Sequence, residues 1–95
     1  MPKDSLSKID SKINNLIKQE FTRHQEGFNL IASDNYVSLA VREAVGSILS
    51  ARYAEGYPEK RYYSGQYFID QIEKTAIQRA KKIFKANYAN VQPHS

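Results

Sequence analysis

The 95-residue chain has no cysteine, no tryptophan and one methionine, with only four glycines and three prolines. Without cysteine, nothing can staple a small secreted fold, which fits a reducing compartment. Histidine is nearly as scarce. With only His24 and His94, no His/Cys metal cluster can be assembled, and the carboxylates form no ligand-spaced run, so no metal site is expected. No apolar run approaches the ~20 residues needed to span a bilayer. The N-terminus, Met1-Pro2-Lys3-Asp4-Ser5, lacks the apolar stretch of a secretory signal. A cytoplasmic chain without a membrane partner is the expectation. The G-x-S-x-G elbow, the Walker phosphate loop and G-x-G-x-x-G are absent as well.

What is present suits one small domain of ordinary composition, 41% hydrophobic and 25% charged. Fourteen basic residues against ten acidic ones give a net charge of +4. Such a balance can steer an anionic partner, but no long Lys/Arg block appears, only Lys60-Arg61 and Lys81-Lys82. Nucleic acid is therefore disfavoured as a partner, and lysines on solvated helix faces account for the charge. Tyrosine is the odd surplus. Of seven, Tyr53, Tyr57, Tyr62, Tyr63 and Tyr67 fall in one short stretch, a density that suggests a site.

Leu6, Ile9, Ile13, Leu16, Ile17 and Phe21 form a narrow helical stripe, capped by Asp4, Ser5 or Ser7 and closed near Gly27. After an irregular crossing over 28–36, Ser38 predicts the N-cap of a second helix running from Leu39 to about Arg52. Its buried face would hold Val41, Ala44, Val45, Ile48 and Leu49. Residues 53–68 lose periodicity and read as a loop punctuated by Gly56, Pro58 and Gly65. A third helix is expected to open at Asp70, with Glu73 completing a capping box and Asn87 as its C-cap. Tyr88 to Gln92 read as the start of a strand. The expected fold class is thus mostly α, with three helices, a long loop and one terminal strand. Domain organisation divides into a helical arm, 1–27, and an incomplete further domain, 28–95.

Chemistry concentrates in the loop, where Glu55 sits among phenols and cations. Phenols hydrogen-bond phosphates and stack on planar ligands, and a carboxyl beside them can shuttle protons. Equally open is a bland reading in which the aromatics anchor a surface loop and Glu55 is solvated or pairs with Arg61.

Four motifs in register decide between these. Leu30-Ile31-Ala32-Ser33-Asp34-Asn35-Tyr36 resembles the L-I-A-S-E-N-(Y/F) signature of serine hydroxymethyltransferases. Ala44-Val45-Gly46-Ser47, the run Arg52 to Pro58, and Ala89-Asn90-Val91-Gln92-Pro93-His94-Ser95 are similar to three further segments of that family. The resemblance covers about Gln25 to Ser95, and roughly the first quarter of a typical member. It implies a parent α/β fold of the type I pyridoxal-phosphate class. The implied activity interconverts serine and glycine with tetrahydrofolate as one-carbon acceptor, in a homodimer with this segment at the subunit interface.

By the same likeness, Ser33 would bind the amino-acid carboxylate and Tyr53 would reach the cofactor phosphate of the neighbouring subunit. Glu55 would handle protons at the substrate hydroxyl and folate. Tyr62 would lie against folate, Tyr63 would contact the amino acid, and Ser95 would open the phosphate-binding turn. Departures from the family pattern are Asp34 for glutamate, Glu59 and Ser64 for glycines, and Gln66-Tyr67-Phe68 for x-E-Y. Glutamate at position 59 disfavours any turn needing positive φ. The family's cofactor-anchoring lysine, its pyridine-nitrogen aspartate, stacking histidine and carboxylate-binding arginine have no counterpart here. None of the nine lysines sits in the family's threonine-rich lysine motif. The expectation is an N-terminal fragment, catalytically inactive alone. The alternative is an interaction or split subunit that completes a companion polypeptide.

Overall fold

The computed structural model describes residues 4–92. It is mostly helical, with one small antiparallel sheet: α1 (Leu6–Ile9), α2 (Ser11–Glu26), α3 (Leu39–Val45), a 3-10 turn (Ile48–Ala51), β1 (Gly56–Tyr57), β2 (Lys60–Arg61) and α4 (Tyr67–Phe84). The chain forms two compact units, one ending at Tyr36 and one beginning at Val37. No helix is long and apolar enough to cross a membrane among the described residues.

In the first unit, the expected single helix is two. Asp10 breaks the run because its carboxylate competes for the backbone, accepting from the Ile13 N–H at 3.0 Å and so capping α2. Ser5 precedes α1 without a side-chain cap bond. Gly27 closes α2 as anticipated, with its N–H bonded to the Arg23 carbonyl. Late in α2, Glu20 accepts both Arg23 Nη2 at 2.6 Å and Arg23 Nε at 2.8 Å. That bidentate contact holds the Glu20 carboxyl at about 2, well below its usual range.

In the second unit, Ser38 caps α3 through the Val41 N–H, but the helix stops at Val45 rather than near Arg52. Gly46 is its C-cap, and Ser47 starts the separate 3-10 turn by accepting the Leu49 N–H. Two local hydrogen-bonding choices, at Gly46 and Ser47, thus outweigh an apolar pattern that continued through them.

The loop expected over 53–68 contains a hairpin. Gly56 pairs with Arg61 and Tyr57 with Lys60, leaving Pro58-Glu59 as the two-residue turn. Glu59 takes φ 67°, the left-handed region that its side chain disfavours. Such a residue costs about 1–2 kcal/mol, and two contacts from α4 hold it there. The Glu59 N–H donates to Asp70 Oδ2 at 3.0 Å, and Lys74 Nζ donates to Glu59 Oε1 at 2.7 Å.

Helix α4 begins three residues earlier than expected, at Tyr67, with Gln66 as N-cap. Asp70 and Glu73 therefore lie inside the helix instead of forming a capping box. The helix ends at Phe84 with Lys85 in the left-handed conformation (φ 51°), not at Asn87. Residues 88–92 form no strand, since no described segment offers them a ladder partner.

No hydrophobic side chain is buried among the described residues. The faces expected to form a core are open: Val41 is 50% exposed, Val45 70% and Ile48 60%. Along α2, Ile13, Leu16 and Ile17 are likewise exposed. Amphipathic patterning made these helices readable, but patterning names a face without naming what lies against it.

Candidate functional site

The organised part of the second unit is built around Arg61. Its side chain is 5% exposed, and a buried guanidinium is tolerable only when its donors are matched. Nε donates to Asp70 Oδ1 at 2.8 Å, and Nη2 donates to Glu73 Oε2 at 2.6 Å. Nη1 donates to the carbonyls of Ala54 and Gly56, both at 2.8 Å. Glu73 is satisfied on its other oxygen by Gln92 Nε2 at 2.7 Å. Burial alone would lower the Arg61 pKa, but the bonds from Glu73 and Asp70 outweigh it and raise it. The same Arg61 contact, with the Glu59 N–H second, lowers the Asp70 carboxyl.

The consequence falls on the backbone of Tyr53 to Gly56. Arg61 takes carbonyls 54 and 56, the Tyr62 N–H takes carbonyl 55 at 3.3 Å, and Gln66 Nε2 takes carbonyl 53 at 3.1 Å. Four consecutive acceptors are thereby engaged by residues of the hairpin and of the start of α4. Gly56 makes the crossing possible. At φ 98° it lies against the Lys60 carbonyl, where a Cβ would collide.

On this held segment, the Tyr53 and Tyr63 rings meet edge to face, with centroids 5.1 Å apart and planes at 76°. The Tyr53 hydroxyl, then the negative charge of Glu55, then burial push the Tyr63 phenol above its ordinary value. Three of the six expected site residues, Tyr53, Glu55 and Tyr63, therefore act on one another. Together they offer two phenol hydroxyls, which can donate hydrogen bonds, and one carboxyl group.

Tyr62 is 75% exposed, with its backbone in the hairpin. Ser33 lies in the first unit, on a turn closed by the Asp34 N–H to the Ile31 carbonyl at 3.1 Å. That turn is clipped by Asn29, whose Nδ2 donates to Asp34 Oδ2 at 2.6 Å and whose Oδ1 accepts the Ile31 N–H at 3.0 Å. Aspartate in place of the longer glutamate thus has a local partner. Ser95 falls outside the described residues.

The possible Glu55–Arg61 pair does not form. Arg61 turns instead to Asp70 and Glu73, two carboxylates three residues apart on one face of α4. That spacing, read as a capping box, was the available signal for the network. Gln66, 6% exposed, was visible only within the Gln66-Tyr67-Phe68 departure from the family pattern.

A family model described as serine hydroxymethyltransferase matches residues 6–95. A serine hydroxymethyltransferase of Borrelia turicatae is 61% identical over 87 residues, covering 92% of this chain and 21% of the relative. Those of Prochlorococcus marinus and Buchnera aphidicola are 58% and 57% identical over 91 residues, each covering 96% of this chain and 22% of the relative. The chain spans about a fifth of the length of the curated relatives it matches. With nearly every described residue inside the match, the chain belongs to the serine hydroxymethyltransferase family.

Proposed function

We propose that this chain is the ligand-facing N-terminal segment of a cytoplasmic, homodimeric transferase that converts serine and tetrahydrofolate to glycine and methylenetetrahydrofolate. Residues 1–27 serve as a helical arm, and 28–95 open an α/β domain of the type I pyridoxal-phosphate class. The observation that carries the reading is the Tyr53–Glu55–Tyr63 group, in which two phenols and a carboxylate influence one another.

The donor set fits the cofactor. A phenol hydroxyl is a neutral donor suited to phosphate oxygens, and a carboxylate is misplaced against phosphate but suited to a substrate hydroxyl. Pyridoxal phosphate, when bound, supplies the electron sink for bond cleavage at the amino acid's α-carbon. Tyr53 would donate to its phosphate across the dimer, and Ser95, outside the described residues, would belong to the phosphate-binding turn. Glu55 would take the proton of the serine hydroxyl as the one-carbon unit leaves, and would give it up as the oxygen of that unit departs in water when folate accepts the carbon. Ser33 binds the amino-acid carboxylate, Tyr63 contacts the amino acid, and Tyr62 lies against folate. Because the cofactor-anchoring lysine lies outside this segment in the family, the 95-residue chain does not turn over by itself.

A chimera tests this. Joined to the remaining four-fifths of the Borrelia turicatae relative, the chain is expected to yield serine cleavage dependent on tetrahydrofolate. Glu55→Gln should lower that activity by about 10²–10⁴-fold, the usual worth of a positioned acid–base group. The chain alone should give none. A chimera as inactive as the chain alone would overturn the assignment.

Exposed apolar side chains on α2 (Ile13, Leu16, Ile17) and on α4 (Ile72, Ile83, Phe84) favour a second reading, in which the chain docks as a split subunit on a companion polypeptide. Activity recovered on mixing the unlinked chain with the purified remainder would favour it, and activity confined to the covalent chimera would exclude it.

A further inference from the structure

The Tyr53–Tyr63 pair is closed by two side chains that reach in opposite directions. Arg52, just before Tyr53, sends Nη2 to the carbonyl of Ser64, just after Tyr63, at 2.9 Å. Gln66, three residues after Tyr63, sends Nε2 to the carbonyl of Tyr53 at 3.1 Å. The two bonds flank the edge-to-face stack and tie its strands of backbone together twice. Gly65 passes directly over the first of them, at φ 78°, where a Cβ would stand 2.9 Å from Arg52 Nη1.

Gln66 is the better anchored of the two. It occupies the N-cap position of α4, yet its side chain makes no cap bond. Serine, threonine, aspartate or asparagine there would satisfy a free helix N–H locally. Glutamine instead spends its amide thirteen residues back in the chain, on Tyr53. Its own carbonyl accepts the Asp70 N–H at 2.8 Å, which fixes it to the first turn of α4. A buried amide pointed at one carbonyl holds that carbonyl in place, because leaving either group unmatched costs more than the bond itself contributes.

We propose that Gln66 is a positioning residue for Tyr53 and, through it, for Tyr63, with Arg52 as the opposing half of the clasp. Its action on ligand rests on the reading of Tyr53 and Tyr63 as cofactor and amino-acid contacts. Its action on the ring pair does not, and that is where it is tested first.

In the chimera with the Borrelia turicatae remainder, residues 1–95 are labelled at the tyrosine ring carbons, and Tyr53–Tyr63 ring cross-peaks and the Tyr63 phenol titration are followed by NMR. Gln66→Met keeps length and burial but removes the donor. It is expected to abolish the ring cross-peaks and return Tyr63 toward the ordinary phenol range, with the α4 circular dichroism at 222 nm unchanged. Gln66→Glu, ionised at neutral pH, is expected to do the same and to recover the cross-peaks in acid, where its carboxyl donates again. Unchanged cross-peaks and titration in Gln66→Met would overturn the proposal. So would loss of α4 helicity in both variants, which would make the residue structural. In the chimera, Gln66→Met should weaken cofactor retention and raise KM for serine. A silent wild-type chimera combined with the NMR changes would sink the functional reading while leaving the clasp standing.

Discussion

At the scale of single residues, the hairpin depends on two that sit in the left-handed region for different reasons. Gly56 is there because nothing else fits beside the Lys60 carbonyl. Glu59 is there although glycine suits the position better, held by Asp70 and Lys74. Gly56→Ala should therefore be the more damaging change. It adds backbone strain of about 1–3 kcal/mol to a direct clash, and should free the Tyr62 N–H that now bonds the Glu55 carbonyl. Amide exchange at Tyr62 checks this, and retained protection there would contradict it. Glu59 was legible in the sequence only as an obstacle, since glutamate argues against positive φ. The turn forms because the compensating contacts come from eleven and fifteen residues away, beyond the reach of local propensity.

At the scale of elements, α4 does more than the sequence implied. Periodicity located a helix, but the pairing of Asp70 and Glu73 with Arg61 makes it the wall on which the hairpin hangs. This clamp is sensitive to acid in a defined direction. The Asp70 carboxyl is held below its ordinary value by Arg61 and by the Glu59 N–H. Its contribution is complete above the ordinary carboxylate value and is lost as pH falls through the depressed one. The Glu59 amide resonance should accordingly move in strong acid, below the usual carboxylate range, as its acceptor is protonated. Asp70→Asn should remove that step. An identical acid transition in the variant would show that another group governs it.

The same elements mark where sequence reading succeeds. Ser38 and Gly27 were legible as ends because their chemistry is local. The breaks at Asp10 and Gly46 were not, since each interrupts an apolar pattern that continues through it. Within the site, Tyr53, Glu55 and Tyr63 could be named from the motif. Arg61 and Gln66 emerge only when residues nine to thirteen apart are seen to touch.

At the scale of the whole molecule, the contrast is between a well-bonded polar hairpin and apolar side chains that stay exposed. Phe28 is 99% exposed and Leu30 90%, and Ile13, Leu16 and Ile17 of α2 are exposed as well. Burial of apolar area is the main source of cooperative stability. The isolated 95-residue chain should bind the dye ANS and lose its helical dichroism over a broad temperature range. A sharp, cooperative melt without dye binding would mean that these faces find one another in solution.

The engaged carbonyls of Tyr53 to Gly56 have one more consequence, for proteolysis. A chymotrypsin-like protease reads its substrate as an added strand and must recruit backbone acceptors and donors on either side of the aromatic it cuts. Tyr53 displays its ring at the surface, yet the acceptors beside it are already occupied by Arg61, Tyr62 and Gln66. Phe28 displays its ring on a backbone without such a strap. Accessibility of the side chain and availability of the peptide bond are thus separate properties here, and the aromatic loop that looks most vulnerable is the one whose backbone is already taken.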